Sequence, residues 1–246
     1  MAKIKIKKKE IKRPDEFITF SARIITWCRE NLKIVTGVTA GVALFIVILG
    51  AAFVFKANRE ANAADLYQKA LALYPSGSPG GNNLAEYAQA TTALEEIQQR
   101  YGSTAVATTA LVDLGNIYFD QGAYDKTIRC YRDFLQRTDR SHPLHDPVLM
   151  SLGETYEAKE SYEDALKTFQ LLVKEGAPVY QTQAELYLGR VYESKGDKSQ
   201  AMVHYDNYLN ESPAPLFGEW IRIKLRRWQQ VEKTEAGGEL QDQELT

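Results

Sequence analysis

From Ile34 to Phe55 the chain runs for 22 residues without one charged side chain, and apolar residues occupy every face of the helix that the run would form. Such a helix rises about 33 Å, enough to cross a hydrocarbon layer of about 30 Å. A buried helix of a globular protein is seldom so long and apolar all round. The pattern predicts a membrane-spanning helix over 34–55. Before it, Phe17, Phe20, Ile24, Trp27, Cys28 and Leu32 recur at helical spacing. That spacing suits an amphipathic helix lying on a lipid surface, although the lysines that precede it would also serve simply to set topology. Beyond the run, apolar positions return at helical spacing as far as Trp228.

Aligned against itself, the distal part shows a repeat. Leu114-Gly115-x-x-Tyr118 recurs as Leu152-Gly153-x-x-Tyr156 and Leu188-Gly189-x-x-Tyr192, at spacings of 38 and 36 residues. Behind each copy stands a second pair at a fixed offset: Thr127 and Tyr131, Ala165 and Phe169, Ala201 and Tyr205. This resembles the tetratricopeptide repeat, with L-G-x-x-Y on helix A and A-x-x-x-F on helix B of each hairpin. The small residues let the paired helices approach, and the aromatic residues are expected to fill the gap between neighbouring hairpins. Gly122 and Gly196 fall at the hairpin turns, whereas the middle unit has Lys159-Glu160-Ser161 there, a departure expected to cost about 1 kcal/mol.

The expected organisation is all-α: a basic leader (1–33), the span (34–55), and a tetratricopeptide-repeat α-solenoid (56–232). The solenoid comprises units near 59–102, 105–139, 146–178 and 181–213, closed by a capping helix over 216–231. The first unit is degenerate, with Leu66, Tyr67, Ala70 and Leu71 on helix A and Tyr87, Ala90, Leu94 and Ile97 on helix B. A Pro- and Gly-rich stretch over 75–81 reads as a loop between the two, and the polar, acidic tail 233–246 as disordered.

Composition alone suggests an ordinary soluble protein, with 30 Lys+Arg against 32 Asp+Glu and a net charge of −2. The division of that charge changes the picture. Residues 1–33 hold ten bases and four acids, a net +6, whereas 34–246 hold 20 bases and 28 acids, a net −8. Bases flanking a span stay in the cytoplasm, so the repeats are expected outside it. Ala61-Asn62-Ala63 resembles a signal-peptidase site. The apolar run exceeds the usual 7–15 residues, however, and Lys56, Arg59 and Glu60 intervene, so the span is read as a retained anchor. Gly37 and Gly41 form a G-x-x-x-G, the spacing of spans that pair as homodimers.

Chemistry is sparse. The chain has no G-x-S-x-G, Walker loop, G-x-G-x-x-G or H-E-x-x-H, so no enzyme and no cofactor are expected. His142, His145 and Asp146 form the one histidine cluster, in a Pro-rich connector without the further ligand a metal needs. Cys28 and Cys130 flank the span on opposite sides and cannot pair. The lysine run lacks interleaved aromatic residues, and no nucleic acid is expected.

Function is therefore expected on the surface. By the helix A register, a partner-binding groove would present Asn116, Phe119, Asp120, Met150, Glu154, Glu157, Leu186, Arg190 and Glu193 to an extended polypeptide or a folded partner. Some relatives of the repeat clamp a peptide carboxylate with Asn, Lys and Arg. Asn116 matches that Asn, but Glu154 and Arg190 stand at the equivalent positions of later units.

The layout adds a narrower resemblance. W-C-R-E-N-L-K precedes one span, A-x-x-L-Y-Q-K-A-L follows it, and F-G-E-W-I-R-I-K-L closes the array. Over about residues 25–230 this resembles the bacterial inner-membrane tetratricopeptide-like proteins related to the ancillary subunit of the SecYEG translocon. The resemblance implies a single-pass inner-membrane protein with a periplasmic domain, accessory to protein translocation or periplasmic chaperoning. Its partners would be secreted polypeptides, chaperones or translocon subunits. The same layout would also suit a scaffold subunit of a larger envelope, secretion or appendage complex.

Overall fold

A computed structural model describes the backbone of residues 16–73, 84–211 and 215–243, in which ten helices and no strand occur. The start of the leader (1–15) and the loop expected over 75–81 lie outside the described residues. The chain divides into two compact units, Met1–Asn58 and Arg59–Thr246.

In the first unit, α1 (Glu16–Glu30) gives way at Asn31 to α2 (Leu32–Leu73). The Asn31 side chain donates to the Trp27 carbonyl at 2.9 Å, closing the end of α1. α2 holds a window of mean hydropathy 2.6 in which no residue is buried, so it is long and apolar enough to cross a membrane. Its hydroxyls are satisfied internally: Thr36 donates to Leu32 O at 2.8 Å and Thr39 to Val35 O at 2.9 Å. A Cβ added at Gly37 or Gly41 would meet nothing within 4 Å.

The second unit starts with the end of α2 from Arg59 on, followed by α3 (Leu84–Tyr101). Three hairpins succeed it: α4 (Ala105–Asp120) with α5 (Tyr124–Arg137), α6 (His145–Ala158) with α7 (Tyr162–Glu175), and α8 (Pro178–Ser194) with α9 (Lys198–Glu211). Each of these helices from α3 on packs against the next in sequence, and α6 also touches α8, the neighbour relation of a solenoid. α2 is fastened to the array by polar contacts. The Glu60 carboxylate accepts from the free N–H groups of Ala105 (3.1 Å) and Val106 (2.9 Å) at the start of α4. Arg59 donates to the Arg100 carbonyl at 2.6 Å.

The glycines explain the repeat. A Cβ on Gly115 would stand 2.5 Å from Tyr131 Cε1, one on Gly153 2.6 Å from Phe169 Cζ, and one on Gly189 2.5 Å from Tyr205 Cδ1. Each helix B ring thus packs directly against the bare backbone of helix A in its own hairpin. Phe169 fills the gap to the next hairpin as expected, stacking on Tyr187 of α8; in addition, each of the three rings closes the hairpin to which it belongs. Side-chain volume decides this, because a ring fits against helix A only where Cβ is missing.

The three turns share one geometry. Ala123 N–H donates to Tyr118 O, Ser161 N–H to Tyr156 O and Asp197 N–H to Tyr192 O, at 2.8, 2.8 and 2.9 Å, each following a residue in the left-handed region. Gly122 (φ 69°) and Gly196 (φ 82°) take that position without strain, whereas in the middle turn it falls to Glu160 (φ 62°). Holding an L-residue there costs about 1–2 kcal/mol. Glu160→Gly is therefore expected to stabilise the protein by about 1 kcal/mol, raising the melting temperature by about 2–4 °C in a calorimetric scan.

α10 (Pro215–Gln243) covers α9. Ile221 and Leu225 are buried with Ala201, Tyr205 and Tyr208, and Gly218 lets the Leu209 methyl approach. The helix continues past residue 231 to Gln243, into the segment that the sequence reads as unstructured. No proline follows Pro215, and Glu, Gln and Leu outnumber the two poor helix formers Gly237 and Gly238 in that stretch. Lys224 locks α10 in place. Its Nζ donates to both Glu193 oxygens (2.6 and 2.7 Å) and lies 3.8 Å from the Trp220 ring centre and 5.6 Å from those of Tyr205 and Trp228.

Candidate binding groove

The first helices of the three hairpins, α4, α6 and α8, carry the predicted groove residues, and the structure brings four of them together. Phe119, Glu154, Glu157 and Arg190 line a cavity of about 500 Å³, joined by Tyr162 and Tyr187. Phe119 rests against Tyr124 with ring centres 5.7 Å apart. Tyr187 stacks on the buried Phe169 ring at 5.1 Å and 18°, which fixes its plane. Arg190 lies over the Tyr187 ring at 4.9 Å and pairs with Glu157 at 3.1 Å.

Burial sets the electrostatics of this cavity. It pushes the Glu157 carboxyl above its usual range, with Glu154 adding to the rise and Arg190 opposing it. Burial and a hydrogen bond to Glu154 push the Tyr187 phenol up. Three carboxylates (Glu154, Glu157 and Glu160) face one guanidinium, so the wall is acidic and lined with aromatic rings. Such a surface accepts a cationic or aromatic side chain and repels an anionic terminus.

The other predicted residues have different surroundings. Asn116 is half-buried and accepts a hydrogen bond from Tyr131 at 2.6 Å. Asp120 is exposed at the end of α4. Met150 is corrected from groove to core: it is 6% exposed and belongs to the main apolar cluster of the solenoid. Leu186 is half-buried against the cluster under α10. Glu193 is taken up by Tyr205, which donates at 2.6 Å, and by Lys224.

Sequence reasoning missed Tyr162 and Tyr187. Both had a signal. Tyr162 repeats Tyr124 as the first residue of its helix, and Tyr187 immediately precedes a Leu-Gly pair. The exposed turns add a ladder at the same period, in which Lys159 pairs with Asp125 at 2.5 Å and Lys195 with Glu163. It draws both carboxyls below their usual range through hydrogen bonds from the lysines.

The remaining polar clusters are occupied within the fold. Glu185, 6% exposed, accepts from Asn207 at 3.3 Å and faces His204 Nδ1 at 2.7 Å, and the His204 ring stacks on Tyr192. His142 Nδ1 accepts from the Leu144 N–H, and Asp146 accepts from Ala177 N–H at 2.8 Å at the start of α8. Among the described residues no group of three or more His, Cys, Asp and Glu side chains could hold a metal ion. Cys130 is buried, and burial pushes its thiol up to about 11.

Repeated helical hairpins, each closed by a ring on a glycine and stacked beneath a capping helix, define a tetratricopeptide-repeat-like solenoid. The chain belongs to the tetratricopeptide repeat-like domain family, which matches residues 26–231. Among solved structures, similarity extends to MamA, at 17% identity and a TM-score of 0.47 over 62% of this chain and 92% of that one. It also extends to the C-terminal part of a TPR repeat-containing protein from Cytophaga hutchinsonii, at 17% identity and a TM-score of 0.19 over 70% of this chain and 97% of that one. None of the curated proteins matches this chain at a significant level. Folds of this class are typically non-catalytic scaffolds for protein–protein interaction.

Proposed function

We propose that the protein is a single-pass inner-membrane protein whose groove holds extended polypeptide segments outside the cytoplasm, during translocation or periplasmic chaperoning. The observation that carries this reading is the cavity of Phe119, Glu154, Glu157, Tyr162, Tyr187 and Arg190. It is aromatic enough to take apolar side chains without sequence preference, and acidic enough to favour segments rich in Lys and Arg. The basic leader and the apolar α2 support the anchor and its direction, with the N-terminus in the cytoplasm and residues 56–246 in the periplasm. The open faces of Gly37 and Gly41 suit a second span, and pairing there is part of the same proposal.

A photoreactive amino acid in place of Phe119 or Glu154, in living cells, tests the groove. The expected result is a heterogeneous set of crosslinks to exported polypeptides and chaperones, absent when the same group replaces exposed Val203 on α9. A single adduct of constant mass would instead identify a fixed scaffold partner, and no adduct above the Val203 control would remove the groove reading. Glu154→Lys with Glu157→Lys is expected to reduce the yield at Phe119 severalfold, because it reverses the charge of the wall.

A further inference from the structure

α10 is amphipathic twice over. One side, Gly218, Ile221 and Leu225, is buried against α9. A second stripe, Phe217, Trp220 and Ile223, lies open, at 56%, 51% and 49% exposure, and Val231 extends it by two turns. A capping helix that only shields the last hairpin needs a polar outer face, and this one has large apolar groups there. Beside them stand four bases, Arg222, Lys224, Arg226 and Arg227, against the single acid Glu219 within 215–231. Lys224 is held by Glu193, and Glu219 is shared between Arg222 (3.6 Å) and Arg226 (3.3 Å), so the open face stays cationic. This basic segment belongs to a region, 34–246, whose net charge is −8.

We infer that the open face of α10 docks onto an anionic lipid surface, with Phe217, Trp220 and Ile223 at the level of the headgroups and the arginines on lipid phosphates. Large aromatic side chains flanked by Arg are the composition that partitions to that interface. A second copy of the chain fits less well. Apposing two such helices sets bases against bases, and four half-exposed side chains cover roughly 400 Å², well below the roughly 800 Å² per partner of a stable interface. A bilayer is also the surface that the chain brings with it. This rests on the reading of α2 as an anchor, under which even a weak lipid contact acts at the high effective concentration of a tethered group.

The test uses the full chain, one copy per lipid nanodisc, with Cys28→Ala and a spin label at one of three positions. Ile223→Cys reports α10, Val203→Cys reports exposed α9, and Ile46→Cys reports the span. In discs of phosphatidylcholine and phosphatidylglycerol, label 223 is expected to show an oxygen-to-nickel accessibility ratio severalfold above label 203. That excess should fall to the control value on Arg222→Gln, Arg226→Gln and Arg227→Gln together. An aqueous label 223 with a lipid-immersed label 46 overturns the docking and leaves the anchor standing. An aqueous label 46 removes both. Protection of label 223 only in discs holding two copies makes the face a self-contact and likewise overturns the inference.

Discussion

Phe169→Ala is expected to destabilise the protein by about 3–5 kcal/mol, lowering the melting temperature by about 6–20 °C. The ring is fully buried in the middle hairpin, in contact with Gly153 on one side and stacked on Tyr187 on the other. Truncation therefore opens a cavity in the core and frees a wall of the groove together. Gly153→Ala attacks the same contact from the opposite helix. Its new Cβ would stand 2.6 Å from Phe169 Cζ, too close for any core to hold, and moving the ring costs about 1–3 kcal/mol. Because both changes act on one contact, their effects are not additive. Gly153→Ala is expected to cost less in a Phe169→Leu background than in the native one, since Leu is smaller and more adaptable than the ring. Chemical denaturation of the four proteins measures the coupling, and strict additivity would show that ring and glycine do not pack as described.

The second large effect is expected at the other end. Lys224→Met removes the ammonium that joins Glu193, Tyr205, Trp220 and Trp228 while keeping an unbranched apolar stem only one atom shorter. Breaking a partly buried ion pair and leaving its carboxylate behind costs about 3 kcal/mol, reduced here because Glu193 keeps the Tyr205 hydroxyl. The loss should be local. Hydrogen exchange of α10 backbone amides is expected to accelerate by roughly one to two orders of magnitude, with α4–α7 unchanged. Glu193→Gln with Lys224→Met leaves no orphaned charge and is expected to recover part of the loss. Uniform acceleration along the whole chain would contradict a cap held by this residue.

Much of the fold is legible in the sequence because repetition reports on geometry. Gly115, Gly153 and Gly189 recur where a ring must touch backbone, and Gly122 and Gly196 where the turn needs positive φ, so the hairpins and their pairing can be read directly. The partner of each ring cannot. Helical periodicity says that Tyr131 and Phe169 face inward but not which neighbouring helices they meet, and an assignment to adjacent hairpins alone leaves out the glycine of the ring's own hairpin. The groove is partly legible for the same reason. Phe119, Glu154, Glu157 and Arg190 follow from register alone. Met150 shares α6 with Glu154 and Glu157, yet it is buried in the apolar core. Tyr187 is placed in the groove wall by Phe169 beneath it, a contact between hairpins that no local pattern encodes. The outer stripe of α10 is visible as residues, but its exposure emerges only once Ile221 and Leu225 are seen to occupy α9.

In all three hairpins, glycine and ring are 16 residues apart along the chain: Gly115 to Tyr131, Gly153 to Phe169 and Gly189 to Tyr205. Closing so short a loop takes little entropy, and the contact needs nothing from the rest of the protein. Each hairpin can therefore take shape as soon as it is synthesised, and its neighbour can add to it in order, a route of low contact order. The same independence bears on ancestry. A gene segment encoding one hairpin carries its own closure, so copying or deleting it changes the length of the array while leaving every remaining plug intact. Solenoids of this kind can gain or lose reach in whole hairpins, and the two ends, the helix entering the array and the basic cap leaving it, need not be reinvented each time.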